Sequence, residues 1–151
     1  MNIREVMTEH PESCGVNDTA NDAVRIMWER DCGAVPVVDS MGRVSGIVTD
    51  RDLCMAAYFQ GTPLTQIRLA DVMTPDPATC TVDLDLASAE RLMRDRQIRR
   101  LPVVDGEGAL LGIVSLADVA MAVRRSGPLS TESSSFSQTV AAVSEPRRPA
   151  Q

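Results

Sequence analysis

Two seven-residue stretches have the composition to hold a small phosphate-bearing ligand: Gly46-Ile47-Val48-Thr49-Asp50-Arg51-Asp52 and Gly112-Ile113-Val114-Ser115-Leu116-Ala117-Asp118. Each runs glycine, two aliphatics, a hydroxyl, two variable residues and an aspartate, at a point that reads as strand giving way to helix. A carboxylate there can accept two hydrogen bonds from a ribose diol. A hydroxyl three residues earlier, with the free amides of the helix start, can hold a phosphate. The same pattern also fits a helix N-cap followed by an acidic first-turn residue, which needs no ligand. The residues alone leave both readings open.

The two stretches belong to a duplication. Shifting the chain by 66 residues superimposes Val6-Met7-Thr8 on Val72-Met73-Thr74, Pro36-Val37-Val38-Asp39 on Pro102-Val103-Val104-Asp105, and Gly46-Ile47-Val48 on Gly112-Ile113-Val114, without a gap. Each copy reads β-α-β-β-α. A short strand near Ser13–Val16 (Thr79–Val82) precedes a polar helix start, Asn17-Asp18-Thr19 or Asp83. A helix follows, with Ala20, Ala23, Val24 and Met27, or Leu86, Ala89, Leu92 and Met93, along one face. Next come an aliphatic strand (Ala34–Val38 or Leu101–Val104), a turn in which Gly42 or Gly108 can take positive φ, and a second strand (Val44–Thr49 or Leu110–Ser115). A closing helix spans Leu53–Phe59 or Val119–Arg125.

One copy is too short to bury a core alone, so the two are expected to pack as one pseudo-symmetric α/β (α+β) module. The expected organisation is a first repeat over 1–60, a linker over 61–68, a second repeat over 69–125 and a flexible Ser/Pro-rich tail over 126–151. Phe136 and Val140–Val143 could let that tail dock.

Composition narrows the function classes. Hydrophobic residues are 44%, charged residues 24% and aromatic residues 3% of the chain, so the core must be aliphatic. The net charge of −6 opposes binding to a nucleic-acid backbone, whereas a small phosphate ligand feels only a local field. Cys14, Cys32, Cys54 and Cys80 form no C-x-x-C pair and His10 is the one histidine, which argues against a zinc site. They read as reduced, mostly buried thiols. No signal peptide or membrane span is evident, so a cytoplasmic protein without nucleic-acid or membrane partners is expected. His10 reads as a surface residue, Met7, Met27, Met73 and Met93 as core filler, and Trp28 as a helix–helix or subunit contact. No nucleophile–base constellation or paired carboxylates suggest catalysis.

Taken together, the doubled Val-Met-Thr, Pro-Val-Val-Asp and Gly-Ile-Val-Thr/Ser-x-x-Asp motifs resemble the cystathionine-β-synthase (CBS) domain family, whose tandem pairs are called Bateman modules. The resemblance covers about Asn2 to Arg125. It implies a stand-alone regulatory, signal-sensing module that binds an adenosine ligand in the cleft between repeats and is not an enzyme. AMP, ADP or ATP is the expected ligand, with NAD and S-adenosylmethionine in the same class. Carried over by position, Thr49 with Asp52 and Ser115 with Asp118 would hold phosphate and ribose. Ser13, Cys14, Val35, Pro36 and Ile47 would line one adenine slot, and Thr79, Cys80, Leu101, Pro102 and Ile113 the other. The resemblance also places arginines around the ligand phosphates. Arg99 and Arg100 stand where the first repeat has Gly33-Ala34, and Arg51 where the second has Ala117. A homodimer acting on a regulated protein that the sequence does not identify completes the expectation. A structural or protein-interaction module with empty clefts is the alternative.

Overall fold

The computed structural model describes residues 1–127 and 131–146. In chain order it contains β1 (Thr8–Glu9), β2 (Cys14–Gly15), α1 (Ala20–Arg30), β3 (Ala34–Val38), β4 (Val44–Thr49) and α2 (Asp50–Gln60). The second half repeats the order: α3 (Leu69–Val72), β5 (Thr74–Pro75), β6 (Cys80–Thr81), α4 (Leu86–Arg96), β7 (Arg100–Val104), β8 (Leu110–Ser115) and α5 (Leu116–Ser126). A further helix, α6, spans Thr131–Ser144. The strands form two four-stranded sheets, β2-β3-β4-β5 and β1-β8-β7-β6.

Local chemistry explains the expected elements. Thr19 caps α1, its amide donating to Asp22 Oδ2 at 2.9 Å, and that bond holds the Asp22 carboxyl below its ordinary pKa. The helix then buries Ala20, Ala23, Ile26 and Met27. In the second repeat the cap is Asp85, which accepts from the Ser88 amide at 2.9 Å, rather than Asp83. Met93, fully buried on α4, contributes about 1.5–3 kcal/mol by leaving water. Gly42 and Gly108 turn the hairpins at φ 78° and 87°, where a side chain would be strained. The two turns also bond each other: the Val44 amide donates to the Gly108 carbonyl at 3.0 Å, and the Leu110 amide to the Gly42 carbonyl at 3.1 Å.

The expected repeat boundaries differ from the packed units. β1 pairs antiparallel with β8 (Thr8↔Ile113, Glu9↔Gly112), and β5 with β4 (Gly46↔Pro75, Ile47↔Thr74). Ile3 and Val6 accordingly sit in the core of the second repeat, while Ile67 and Leu69 sit in that of the first. Each Val-Met-Thr segment therefore completes the other repeat's lobe. Residues 1–9 are not part of the first packed unit, and the expected linker supplies the buried Ile67.

The expected flexible tail is also corrected over Thr131–Ser144, while residues 128–130 and 147–151 lie outside the described residues. α6 packs on α4 and α5, burying Thr139 and Val143 and half-burying Phe136. Its serines and threonines are not merely solvated. Ser135 Oγ donates to Glu90 Oε2 at 3.1 Å and Thr139 Oγ1 donates to the same oxygen at 2.8 Å, while Thr139 Oγ1 accepts from Arg94 at 2.9 Å. Glu90 is only 1% exposed, so these hydroxyls satisfy a carboxylate that would be costly to bury alone. Composition misleads here because the helix is held by a tertiary partner and not by its own propensity.

The cysteines divide evenly. Cys14 and Cys80 are buried, and desolvation pushes each thiol up to about 11, whereas Cys32 and Cys54 are exposed.

Two outcomes follow from this packing. Thr139→Val leaves the buried Glu90 short of a donor and Arg94 short of an acceptor, so urea denaturation should show about 1–3 kcal/mol of lost stability; an unchanged midpoint would mean α6 is not docked. With a thiol reagent at pH 8, the exposed Cys54 should be modified first and Cys32, exposed but with its thiol raised by partial desolvation, more slowly, while Cys14 and Cys80 react only on unfolding. The sign follows from the raised pKa: the reactive thiolate of the buried pair stays disfavoured until near pH 11. Four equally fast thiols would contradict the burial.

Candidate functional site

Each strand-to-helix junction closes on itself through a reciprocal cap. The Thr49 amide donates to Asp52 Oδ2 at 2.9 Å and the Asp52 amide donates back to Thr49 Oγ1 at 3.2 Å. At the second junction, the Ser115 amide and hydroxyl each donate to Asp118 Oδ2 at 2.7 Å, and the Asp118 amide donates to Ser115 Oγ at 3.2 Å. The cap anticipated from the residues is therefore present at both sites. It does not use up the carboxylate, since Asp118 Oδ1 makes no hydrogen bond among the described residues.

A cavity of about 750 Å³ lies at the second junction, between the two lobes. From the second repeat come Arg99, Arg100, Ile113 and the whole Ser115–Asp118 turn; from the first come Ile26, the Arg30–Ala34 stretch and Pro36. The crossed N-terminal segment, Thr8 to Glu12, forms the remaining wall. Its volume falls within the roughly 300–1,000 Å³ of small-molecule sites.

The backbone sets these side chains in place. Arg100 lies opposite Ser115 across the β7–β8 ladder, and the Arg99 carbonyl accepts from the Leu116 amide at 2.8 Å. The pseudo-symmetric bond joins the Asp50 amide to the Gly33 carbonyl at 3.1 Å. The start of β3 and the start of β7 are thus each tied to the first turn of the following helix. On β3, Val35 and Val37 go to the helix-side core and Pro36, between them, lines the cavity.

Charge within the cavity is uneven. Arg30 is bound by Glu12, which raises the guanidinium pKa further. Arg99 and Arg100, by contrast, make no side-chain hydrogen bond or ion pair among the described residues. Arg99 is exposed and Arg100 half-buried. These two cations share the cavity with the Ser115 hydroxyl and with the carboxylates of Glu9, Asp31 and Asp118. Burial raises the Cys32 thiol, opposed by the Ala34 backbone and the charge of Arg100. Among the described residues no group of three or more His, Cys, Asp or Glu could hold a metal ion.

The expected site residues are only partly brought together. Pro36, Arg99, Arg100, Ile113, Ser115 and Asp118 line one cavity. The family resemblance implies different adenine slots for Pro36 and Ile113, and they meet because the cavity spans both repeats. Cys14, Val35, Cys80 and Leu101 are 2%, 0%, 5% and 0% exposed and lie in the helix-side cores, outside this cavity, because strand alternation turns them toward the helices. Thr49, Arg51, Asp52, Ile47, Ser13, Thr79 and Pro102 do not line this cavity. His10 does, although the sequence suggested only a surface residue; the crossing of β1 onto β8 carries it there. No signal in its own neighbourhood foretold that. Trp28 is 87% exposed, so among the described residues it is not buried at a helix–helix contact, one of its two expected roles.

Comparison with known proteins agrees with this arrangement. The CBS domain model matches residues 3–58 and 69–125. The CBS domain-containing protein YhcV of Bacillus subtilis (strain 168) is 33% identical over 123 residues, spanning 79% of this chain and 83% of that protein. The structure of CBSX2 in complex with AMP, a protein of Arabidopsis thaliana, is 27% identical with a TM-score of 0.72, covering 82% of this chain and 96% of the other. The CBS domain pair of protein MJ0100, solved with 5'-methylthioadenosine and S-adenosyl-L-methionine, shares the fold at 21% identity with a TM-score of 0.77, covering 83% and 98% of the two chains. With both repeats matched and both sheets completed by exchange of the Val-Met-Thr segments, the chain belongs to the CBS domain family, as a tandem pair of CBS domains.

Proposed function

We propose that this CBS pair is a regulatory module that binds an adenine nucleotide between its repeats and carries out no turnover of it. The observation that carries the reading is the inter-repeat cavity, in which Ser115 and Asp118 share a wall with the unpartnered Arg99 and Arg100. Asp118 would accept from the ribose hydroxyls through Oδ1 while Oδ2 keeps the cap. Ser115, the amides of the first turn of α5 and the two arginines would take the phosphates. Pro36 and Ile113 supply apolar surface for the base. Complexes of CBSX2 with AMP and of MJ0100 with adenosine derivatives support the ligand class. Binding would act by favouring one arrangement of the two repeats over another.

The rival is a protein-interaction module with empty clefts, and it too has an observation behind it. Both junctions are satisfied by their own caps, so neither needs a ligand to be stable.

Assembly as a homodimer belongs to the same proposal. Met55, Tyr58 and Phe59 on α2 and Met121 on α5 are 37%, 77%, 79% and 53% exposed. An apolar surface of this kind, with Tyr58 and Phe59 stacked edge to face at 5.2 Å, is suited to cover by a second copy across a two-fold axis.

The discriminating measurement is thermal unfolding with and without nucleotide. At ligand a hundredfold above its dissociation constant, AMP, ADP or ATP should add about 2.7 kcal/mol of stability per site. Asp118→Asn should lose only about 0.3–1 kcal/mol without ligand, yet bind at least tenfold more weakly. No shift with any adenosine compound would refute the nucleotide reading. A large loss of stability with affinity intact would reduce Asp118 to a cap.

A further inference from the structure

Arg100 faces two ways. It lines the cavity, and its Nη2 also stands 2.8 Å from the point a Cβ on Gly33 would occupy. Asp50 Oδ2 lies 3.1 Å from that same point, on the first-repeat side. Asp50 is exposed at the start of α2 and is not part of the cavity wall. Its Oδ1 accepts from the Arg51 amide at 2.8 Å, which leaves Oδ2 for the guanidinium. The two charges nevertheless do not close to an ion pair. Gly33 is what keeps the space between them open, because any side chain there would fill it. Its backbone is not left-handed, so the need for glycine at this position is one of space.

We propose that Asp50 tunes the anion affinity of the cavity as the resting counter-charge of Arg100, so that a phosphate must draw the guanidinium away from it. This rests on the nucleotide reading above and names the residue that sets the strength of its phosphate contact. The second repeat has Leu116 in place of Asp50 and the first has Ala34 in place of Arg100, so the pseudo-symmetry does not duplicate the device. It links the two lobes: the carboxylate comes from the junction of one repeat and the cation from the sheet of the other. A guanidinium drawn from Asp50 toward a ligand phosphate lets occupation of the cavity alter the electrostatics of the first-repeat junction.

The test is calorimetric titration of adenosine, AMP and inorganic pyrophosphate into the unmodified chain, D50N, R100Q and the double variant. D50N should bind AMP and pyrophosphate about two- to fivefold more tightly, the range of one partly exposed charge pair, with adenosine unchanged. R100Q should weaken both anions, and D50N should bring no gain on that background. An unchanged AMP affinity in D50N would overturn the proposal. So would a gain that survives in the double variant, or an equal gain for adenosine, either of which would make Asp50 a helix-end charge only. Failure of adenosine and AMP to bind any variant would refute the nucleotide reading, and pyrophosphate then decides this one. An Arg100-dependent gain in D50N sustains the counter-charge, and no pyrophosphate response overturns it.

Discussion

The strand β1 lies on β8 and the strand β5 on β4, and nearly everything else in the module follows from that exchange. The crossing demands glycine on the receiving strand. A methyl group at Gly112 would come within 2.7 Å of Met7 Sδ and 2.9 Å of the Thr8 carbonyl, and Gly46 lies under Met73 and Thr74 in the same way. The Val-Met-Thr and Gly-Ile-Val motifs, distant in each repeat, are thus the two sides of one contact. Because each repeat lends a strand and buried anchors to the other, neither lobe closes its core alone. A fifty-residue unit of short aliphatic strands would be marginal by itself, and the exchange converts two such units into one body.

The same crossing builds the cavity. It lays the Thr8–Glu12 segment across the second junction, opposite Ser115 and Asp118, and so brings His10 beside residues more than a hundred positions away. At that junction one carboxylate oxygen makes the cap and the other is left over. Oδ2 of Asp118 holds the helix start, and Oδ1 makes no hydrogen bond among the described residues. The cap fixes the side chain and removes rotamer freedom that a ligand would otherwise have to restrict, a form of preorganisation.

Pseudo-symmetry is broken where charge and chain ends are concerned. Arg99-Arg100 replaces Gly33-Ala34, which puts two arginines that make no ion pair among the described residues on the second-repeat side of the inter-repeat space. α6 covers α4 and α5 through the buried Glu90, whose counterpart in the first repeat is Val24, while Trp28 stands exposed where the second repeat has Arg94. The two lobes therefore present different outer surfaces on a common frame.

Much of this is legible in the sequence. The duplication, the order of elements, the glycines of the turns and the capped junctions each rest on local rules, such as hydrophobic period, positive φ and side-chain to amide bonds, which act over a few residues. The aliphatic strands emerged within one residue of their expected bounds for the same reason. Three features were settled only by tertiary structure. Which face Cys14, Val35, Cys80 and Leu101 present depends on the side from which helices cover the sheet, and they turned inward. The serine-rich segment became α6 because Glu90, forty-five residues away from Ser135, offers its hydroxyls a buried acceptor, a partner no composition reveals. The exchange of β1 and β5 lies beyond local reading altogether, since the same edge hydrogen bonds could be offered by either repeat. Packing of Ile3 and Val6 into one lobe, and of Ile67 and Leu69 into the other, decides between them.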